Sequence, residues 1–403
     1  MAEQKNSQIT KISAKEIKDS RGNPTIKVTV FVGDKNASFA VPSGASTGAH
    51  EAHVIANDKA ILNVNEVIAE ALIGKDVFDQ KEIDRTMVEL DGTTNKNNLG
   101  GNAIIGVSIA CAKVAAEVKG LETFQYLRTL AEIKPSREVP FLYMNLINGG
   151  KHADNDLAFQ EYHIVPNTLN VSEAVQIGIK IQNSLKEIII KELGAESVVF
   201  GDEGGFAPKV KDIKQPLFYL REAIKQNDLE GKVRLALDVA SSSFFENGLY
   251  KISEENISKE ELLNIYKSLT EEFNLLSIED PFEEEDFISF QKLKEENNLK
   301  VVGDDLTVTN KNLLQKAIDN NSINAMIIKP NQIGTLTETL ETMKLAREND
   351  IELIVSHRSG ETEDDFIADL AYAFGCFGLK AGAPTKPERM VKYKRLEKII
   401  NLI

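Results

Sequence analysis

The chain has 403 residues, 42% hydrophobic and 27% charged, an ordinary composition for a soluble globular protein and a length that suits two domains. Its formal net charge of −15 argues against general nucleic-acid binding, which needs a basic surface. No uninterrupted apolar stretch is expected to span a bilayer. The polar N-terminus, Met1 to Gln8, holds no signal core, and Cys111 and Cys376, without metal-ligand spacing, read as buried thiols in a reducing compartment. The cytoplasm is the expected location.

In chain order, Arg21-Gly22-Asn23-Pro24 is a turn signal, and Ile26, Val28, Val30 and Val32 alternate with polar residues as in a half-buried strand. The short segment 33–40 reads as a loop. Ser43-Gly44-Ala45-Ser46-Thr47-Gly48 lacks the Gly-Lys-Ser/Thr ending of a phosphate-binding P-loop, but could close over a site and supply a hydroxyl. Helical stretches follow near 58–73 and 101–118, so residues 1–135 read as a small α+β domain. The segment 133–138 is the expected linker. Phe141 to Ile147 and Phe159 to Val165 look like strands. The Gly-rich connection between them, 148–155, is too short for a crossover helix, which makes the two strands antiparallel. Helices are expected near 171–193 and 216–228.

Six short apolar runs then end in charged or titratable residues: Asp238, Glu279, Asp304, Lys329, His357 and Lys380. Their spacings of roughly 23–41 residues leave room for a helix in each gap. Two strands plus six close an eight-stranded barrel, and the six residues form a ring at its C-terminal rim, where such barrels place their active sites. Asp238, Glu279 and Asp304 offer hard oxygen ligands with no Cys or His beside them, which favours Mg²⁺ over Zn²⁺; capping of the following turns is the plainer reading of each alone. A lysine beside a divalent cation has its charged form disfavoured, so Lys329 could act as a general base. Arg358 and Ser359 beside Gly360 suit a phosphate. Glu161 lies inside a barrel strand, where an acid either points into a site or demands a buried partner. Glu203 and His152 sit in separate Gly-rich loops.

Several segments together resemble the enolase family over nearly the whole chain. They include Asp19-Ser20-Arg21-Gly22-Asn23-Pro24-Thr25, Ser43 to Gly48, Gly201-Asp202-Glu203-Gly204-Gly205-Phe206-Ala207-Pro208, Ser277-Ile278-Glu279-Asp280-Pro281-Phe282, Lys329-Pro330-Asn331-Gln332 and Ser356-His357-Arg358-Ser359-Gly360. The resemblance implies a modified TIM-like eight-stranded α/β barrel, its first two strands antiparallel, over residues 136–403, with an N-terminal α+β capping domain over 1–135. It implies dehydration of 2-phosphoglycerate to phosphoenolpyruvate, using a Lys base and Mg²⁺ as is known for this superfamily.

By the same resemblance, Lys329 is the base at C2, and Glu203 assists loss of the C3 hydroxyl with Glu161 beside it. Asp238, Glu279 and Asp304 hold one Mg²⁺, and Ser46 helps to hold a second together with substrate phosphate. Arg358 and Ser359 bind phosphate, Lys380 faces the substrate carboxylate, His152 comes from a mobile loop, His357 lines the site and Gln160 supports it. A homodimer or octamer is implied, and the family's second binding roles direct attention to the basic stretch Lys392-Tyr393-Lys394-Arg395. Lys27 stands where many members carry an acid that pairs, across the dimer, with an arginine resembling Arg389; two cations cannot make that bridge. Ser243 stands where a Glu is frequent. Related racemases and cycloisomerases commonly carry Lys-x-Lys on an early barrel strand, where this chain has Gln160-Glu161-Tyr162. A non-catalytic binding protein on the same scaffold would be expected to have lost metal or base residues, and none is lost.

Overall fold

The computed structural model describes residues 7–44, 48–295 and 299–402. Near the N-terminus, β1 (Lys11–Lys18), β2 (Pro24–Val32) and β3 (Lys35–Ala40) form an antiparallel sheet in that order. The segment read as a loop is thus largely strand: β3 pairs with β2 from Val32↔Lys35 to Lys27↔Ala40, and only Gly33 and Asp34 turn the chain. Ile26, Val28, Val30 and Val32 of β2 are buried, as their alternation predicts. The helix Gly101–Lys119 packs on β2 and β3. Gly106 permits the close approach, because a Cβ there would lie 2.6 Å from Val28 Cγ2. By length and composition alone this helix could cross a bilayer. Yet 83% of it is buried inside the protein, so its apolar surface is already covered. The helical stretch near 58–73 runs from Asn57 to Leu72 with a π-helical segment, Asn63–Ile68, in its middle.

A closed barrel follows, its strands ordered β10-β11-β12-β13-β14-β4-β5-β6. They are β4 (Phe141–Asn148), β5 (Glu161–Pro166), β6 (Val233–Asp238), β10 (Ser277–Glu279), β11 (Lys300–Gly303), β12 (Ala325–Ile328), β13 (Glu352–Ser356) and β14 (Gly378–Lys380). Strand β5 runs antiparallel to both β4 and β6, and the remaining pairs are parallel. Tyr143, Val165, Ala236, Val302, Ala325, Ile327 and Ile354 fill the interior, so the barrel is a packed core and not a pore. Three short strands, β7 (Phe245–Glu246), β8 (Leu249–Ile252) and β9 (Glu255–Ile257), make a separate antiparallel sheet after β6.

The helix Val171–Leu193 begins at Asn170, whose side chain accepts the Glu173 N–H and so meets one of the first turn's unpaired donors. It packs against the helix Gln215–Gln226. In the C-terminal helix Pro387–Asn401 the basic stretch turns inward. Lys392 is buried and donates to Glu361, while Arg395 bonds both Asp369 and Glu122. It is not a free basic face, because most of its charge is already neutralised within the chain.

Candidate active site

The six strand-end residues converge as the sequence pattern predicts. Asp238, Glu279 and Lys380 are the last residues of β6, β10 and β14, while Asp304, Lys329 and His357 directly follow β11, β12 and β13. Parallel registry sets Glu279 beside Asp238. Glu161 begins the reversed strand β5 and lies opposite Asp238, so it reaches the same rim. A narrow cleft there is lined by His152, Gln160, Glu161, Glu203, Asp238, Lys329, His357, Arg358, Ser359 and Lys380, with Gly44 at its edge. Ser46 lies outside the described residues. A larger cleft of about 500 Å³ between Leu130 and Leu340 carries scattered surface charges and no converging acid–base set.

The floor of the cleft is a charge network. Lys380 Nζ lies 2.8 Å from Asp238 and 2.8 Å from Glu279, and 3.3 Å from Glu161. Lys329 donates to Asp304, whose second oxygen accepts from Gln332 Nε2 at 2.9 Å. Burial works against the Lys380 ammonium, but Asp238, Glu161 and Glu279 outweigh it and hold its pKa well above the usual lysine value. Lys329 is also shifted upward: burial favours its neutral form, and contact with Asp304 wins. The depression expected of a lysine beside a divalent cation is a separate case; here a carboxylate touches the ammonium directly and favours its charged form. Glu279 is pushed well above the normal carboxylate range by burial and by Asp238 beside it.

Buried carboxylates thus outnumber the two ammoniums that neutralise them. Asp238, Glu279 and Asp304 do not draw into one tight group, since Lys380 lies between the first two and Lys329 holds the third. The tight groups among the described residues are His152–Glu161–Glu203 and Asp280–Asp304–Asp305, each with ligand atoms within 4.8 Å of one another. Of these, Asp280–Asp304–Asp305 is an all-oxygen donor set, which fits a hard divalent cation.

The opposite wall holds the glutamate pair. His152 Nδ1 lies 3.4 Å from Glu161 and 3.7 Å from Glu203. His163, one turn of the pleat below, places Nε2 2.9 Å from Glu161 Oε2. Asn145 donates to Glu203 Oε2 at 3.0 Å, and His357 Nε2 is 3.2 Å from Glu203 Oε1. Burial, then repulsion from Glu203, pushes the Glu161 pKa well above normal. Burial also acts on Glu203, but His357, His152 and Arg389 outweigh it and carry its pKa well below normal. Two neighbouring carboxyls are therefore driven apart, the pattern by which one environment separates acid from base. Burial pushes His163 and His357 down to about 3 and lowers His152.

Partners that sequence reasoning missed come from afar. Glu51 clamps Arg358 through two bonds of 3.1 Å, and Asn331 takes a third. Asp280 accepts the backbone N–H groups of both Asp304 and Asp305, fixing the turn that presents them. Arg389 is fully buried and bonds His357 and the carbonyls of Arg358 and Ser359. It cannot be the arginine of a dimer contact, because no surface of it is available; the proposed clash with Lys27 disappears with it. For Asn145 and His163 the only signal was polarity within otherwise apolar barrel strands.

An eight-stranded barrel whose rim gathers a buried acidic cluster, buried lysines and a split glutamate pair defines an α/β-barrel enzyme. Residues 136–403 match the family model of the enolase C-terminal TIM barrel domain, and residues 9–127 that of the enolase N-terminal domain. The chain is 44% identical to the enolase of Methanocaldococcus jannaschii and 44% identical to that of Methanopyrus kandleri, in each case over 97% of this chain and 95% of the relative. It belongs to the enolase family.

Proposed function

We propose that the protein is a phosphopyruvate hydratase, which reversibly dehydrates 2-phospho-D-glycerate to phosphoenolpyruvate in glycolysis and gluconeogenesis. The observation that carries this reading is one cleft lined together by Lys329, Glu203, Glu161, Arg358 and Ser359. Lys329 takes the C2 proton. The electron pair left behind forms the C2–C3 double bond, and the C3–O bond breaks. Glu203, with Glu161 and His152 beside it, assists loss of the hydroxyl as water: the proton starts on Glu161, the carboxyl of the pair whose pKa is raised, and passes through Glu203 to the leaving oxygen. Arg358 and Ser359 bind the phosphate, and Lys380 faces the substrate carboxylate. Lys329 can accept a proton only once its ion pair with Asp304 opens, so substrate binding and base function are linked.

Asp238, Glu279 and Asp304 would hold a Mg²⁺ ion, and Ser46 would contribute to a second held with substrate. These ions, when bound, stabilise the negative charge that develops on the substrate carboxylate. Gln160 donates weakly to Asp238 at 3.4 Å and supports that cluster. We further divide the chain into a capping domain, 1–135, and a catalytic barrel, 136–403. We infer a cytoplasmic homodimer or octamer.

The test mixes purified protein with 2-phosphoglycerate and follows the ultraviolet absorbance of phosphoenolpyruvate; no Mg²⁺-dependent signal would sink the reading. Lys329→Ala should abolish exchange of the C2 proton with solvent deuterium, and exchange at the wild-type rate would remove Lys329 as the base.

A further inference from the structure

We propose that Arg389 is a positioning residue for this dehydration: it fixes His357 as the neutral tautomer with its hydrogen on Nε2, the side of the ring that faces Glu203. The inference rests on the reading of Glu203 given above. Arg389 lies in the first turn of the helix Pro387–Asn401 and is fully buried behind the His357 ring. Its Nη1 meets His357 Nδ1 and donates to the Arg358 carbonyl at 2.7 Å; its Nη2 donates to the carbonyls of Ser359 at 2.7 Å and Asp202 at 3.3 Å. Gly382 makes room for this pair, since a Cβ there would lie 3.0 Å from Arg389 Cδ and 3.1 Å from His357 Cε1.

A guanidinium has no lone pair and can only donate. His357 Nδ1 must therefore accept, and in a neutral ring the hydrogen sits on Nε2, 3.2 Å from Glu203 Oε1. A second proton would have to enter at Nδ1, against a permanent cation. The charged groups around the ring are Glu203 in front, Arg389 behind and Lys380 to one side, with His152 and Glu161 beyond Glu203. Burial and the two cations oppose an imidazolium; only the carboxylates favour it. His357 is thus a constant donor and not a proton relay. Asn145 donates to the other Glu203 oxygen, while His357 Nε2, buried and without a hydrogen-bonded partner at rest, faces Glu203 Oε1 across 3.2 Å as a fixed donor. Arg389 secures this while also bracing the backbone that carries Arg358 and Ser359.

The experiment uses the full chain labelled with ¹⁵N-histidine and two-bond N–H correlation spectra, with the His357 signals assigned by their loss in His357→Gln. The wild type is expected to show hydrogen on Nε2 only, with shifts constant from about pH 6 to 8.5. In Arg389→Gln the ring should titrate or mix tautomers, and kcat should fall about a hundredfold with KM changed much less. Arg389→Lys, which restores the charge and a donor, should recover part of the loss. A wild-type ring with hydrogen on Nδ1, or one that titrates near 6.5, overturns the proposal. So does an Arg389→Gln protein with impaired kcat and an unchanged tautomer, which would make Arg389 a packing residue. If the Gln variant does not fold, the wild-type spectrum decides alone. Because the spectra need no turnover, an inactive wild type would refute the dehydratase reading and leave the tautomer measured.

Discussion

Replacing Glu51 by Gln tests how the cleft stores its anion-binding cation. Glu51 and Arg358 meet in a two-bond fork, side-chain exposures 8% and 4%. Glutamine keeps the shape and one acceptor but removes the charge, leaving a buried guanidinium without its carboxylate. Breaking such a pair from one side costs about 3–5 kcal/mol. Unfolding entropy averages about 2.1 cal/mol/K per residue, so for 403 residues about 0.85 kcal/mol corresponds to one degree. Glu51→Gln should therefore lower Tm by about 4–6 °C. Ligand should then reverse the order of effects. A phosphorylated acid at a hundred times its Kd adds about 2.7 kcal/mol, or about 3 °C. In the wild type the phosphate competes with the Glu51 carboxylate for Arg358, whereas in the variant it competes with a neutral amide at that position. Differential scanning calorimetry with and without 2-phosphoglycerate should show a larger ligand-induced rise in the variant. Equal rises would mean that Arg358 does not receive the phosphate, and an unchanged Tm without ligand would mean that the fork contributes no stability.

Treatment with EDTA should remove hydratase activity and Mg²⁺ should restore it, whereas full activity after exhaustive dialysis against chelator would exclude a role for the acidic floor as a metal site. Lys380→Met should lower Tm by more than Lys311→Met, because Lys380 neutralises Asp238, Glu279 and Glu161 inside the barrel while Lys311 bonds Glu341 at an exposed site; equal shifts by calorimetry would refute the charge-balance argument. Burial raises the thiol pKa of Cys111 and Cys376, so neither should react with a disulfide reagent at pH 8.5 in the native protein and both should react in guanidinium; rapid native labelling would show the sites to be open. Ile105→Ala, in the fully buried middle of the helix Gly101–Lys119, should cost about 2–5 kcal/mol, read from denaturant unfolding, and a loss below about 1 kcal/mol would indicate that the site collapses around the cavity.

Much of the architecture was legible because barrel strands are short apolar runs whose final residue faces the rim. That rule located Asp238, Glu279, Asp304, Lys329, His357 and Lys380 directly. It also found the antiparallel β4–β5 pair from the length of one loop. It failed where polarity is answered across large sequence distances. Glu51 and Arg358 are 307 residues apart, and nothing local to either names the other. Resemblance reads Arg389 as a dimer-contact arginine, whereas its burial depends on Gly382 and three carbonyls that only the fold assembles. β3 was missed because Lys35, Asn36 and Ser38 lack strong strand propensity, and pairing with β2 overrides that. The contact between Lys329 and Asp304 was hidden for a similar reason, since nothing local to Lys329 names Asp304 as its partner.

The reversal of β5 has a consequence for how the chain visits the rim. A strand that starts at the rim ends at the far side of the barrel, and β6 must begin on that far side to run parallel to its later neighbours. A single intervening helix would leave the chain at the wrong end, so the number of crossings must be even. The two helices Val171–Leu193 and Gln215–Gln226 satisfy that parity, and the turn between them falls at the rim. The parallel bridge from Ile147 to Phe206 fastens this turn to the top of β4, and Glu203 lies just before it. Flipping one strand therefore delivers one glutamate at the strand's beginning and the other at the apex of the excursion it forces. The glutamate pair is a product of route as much as of local sequence.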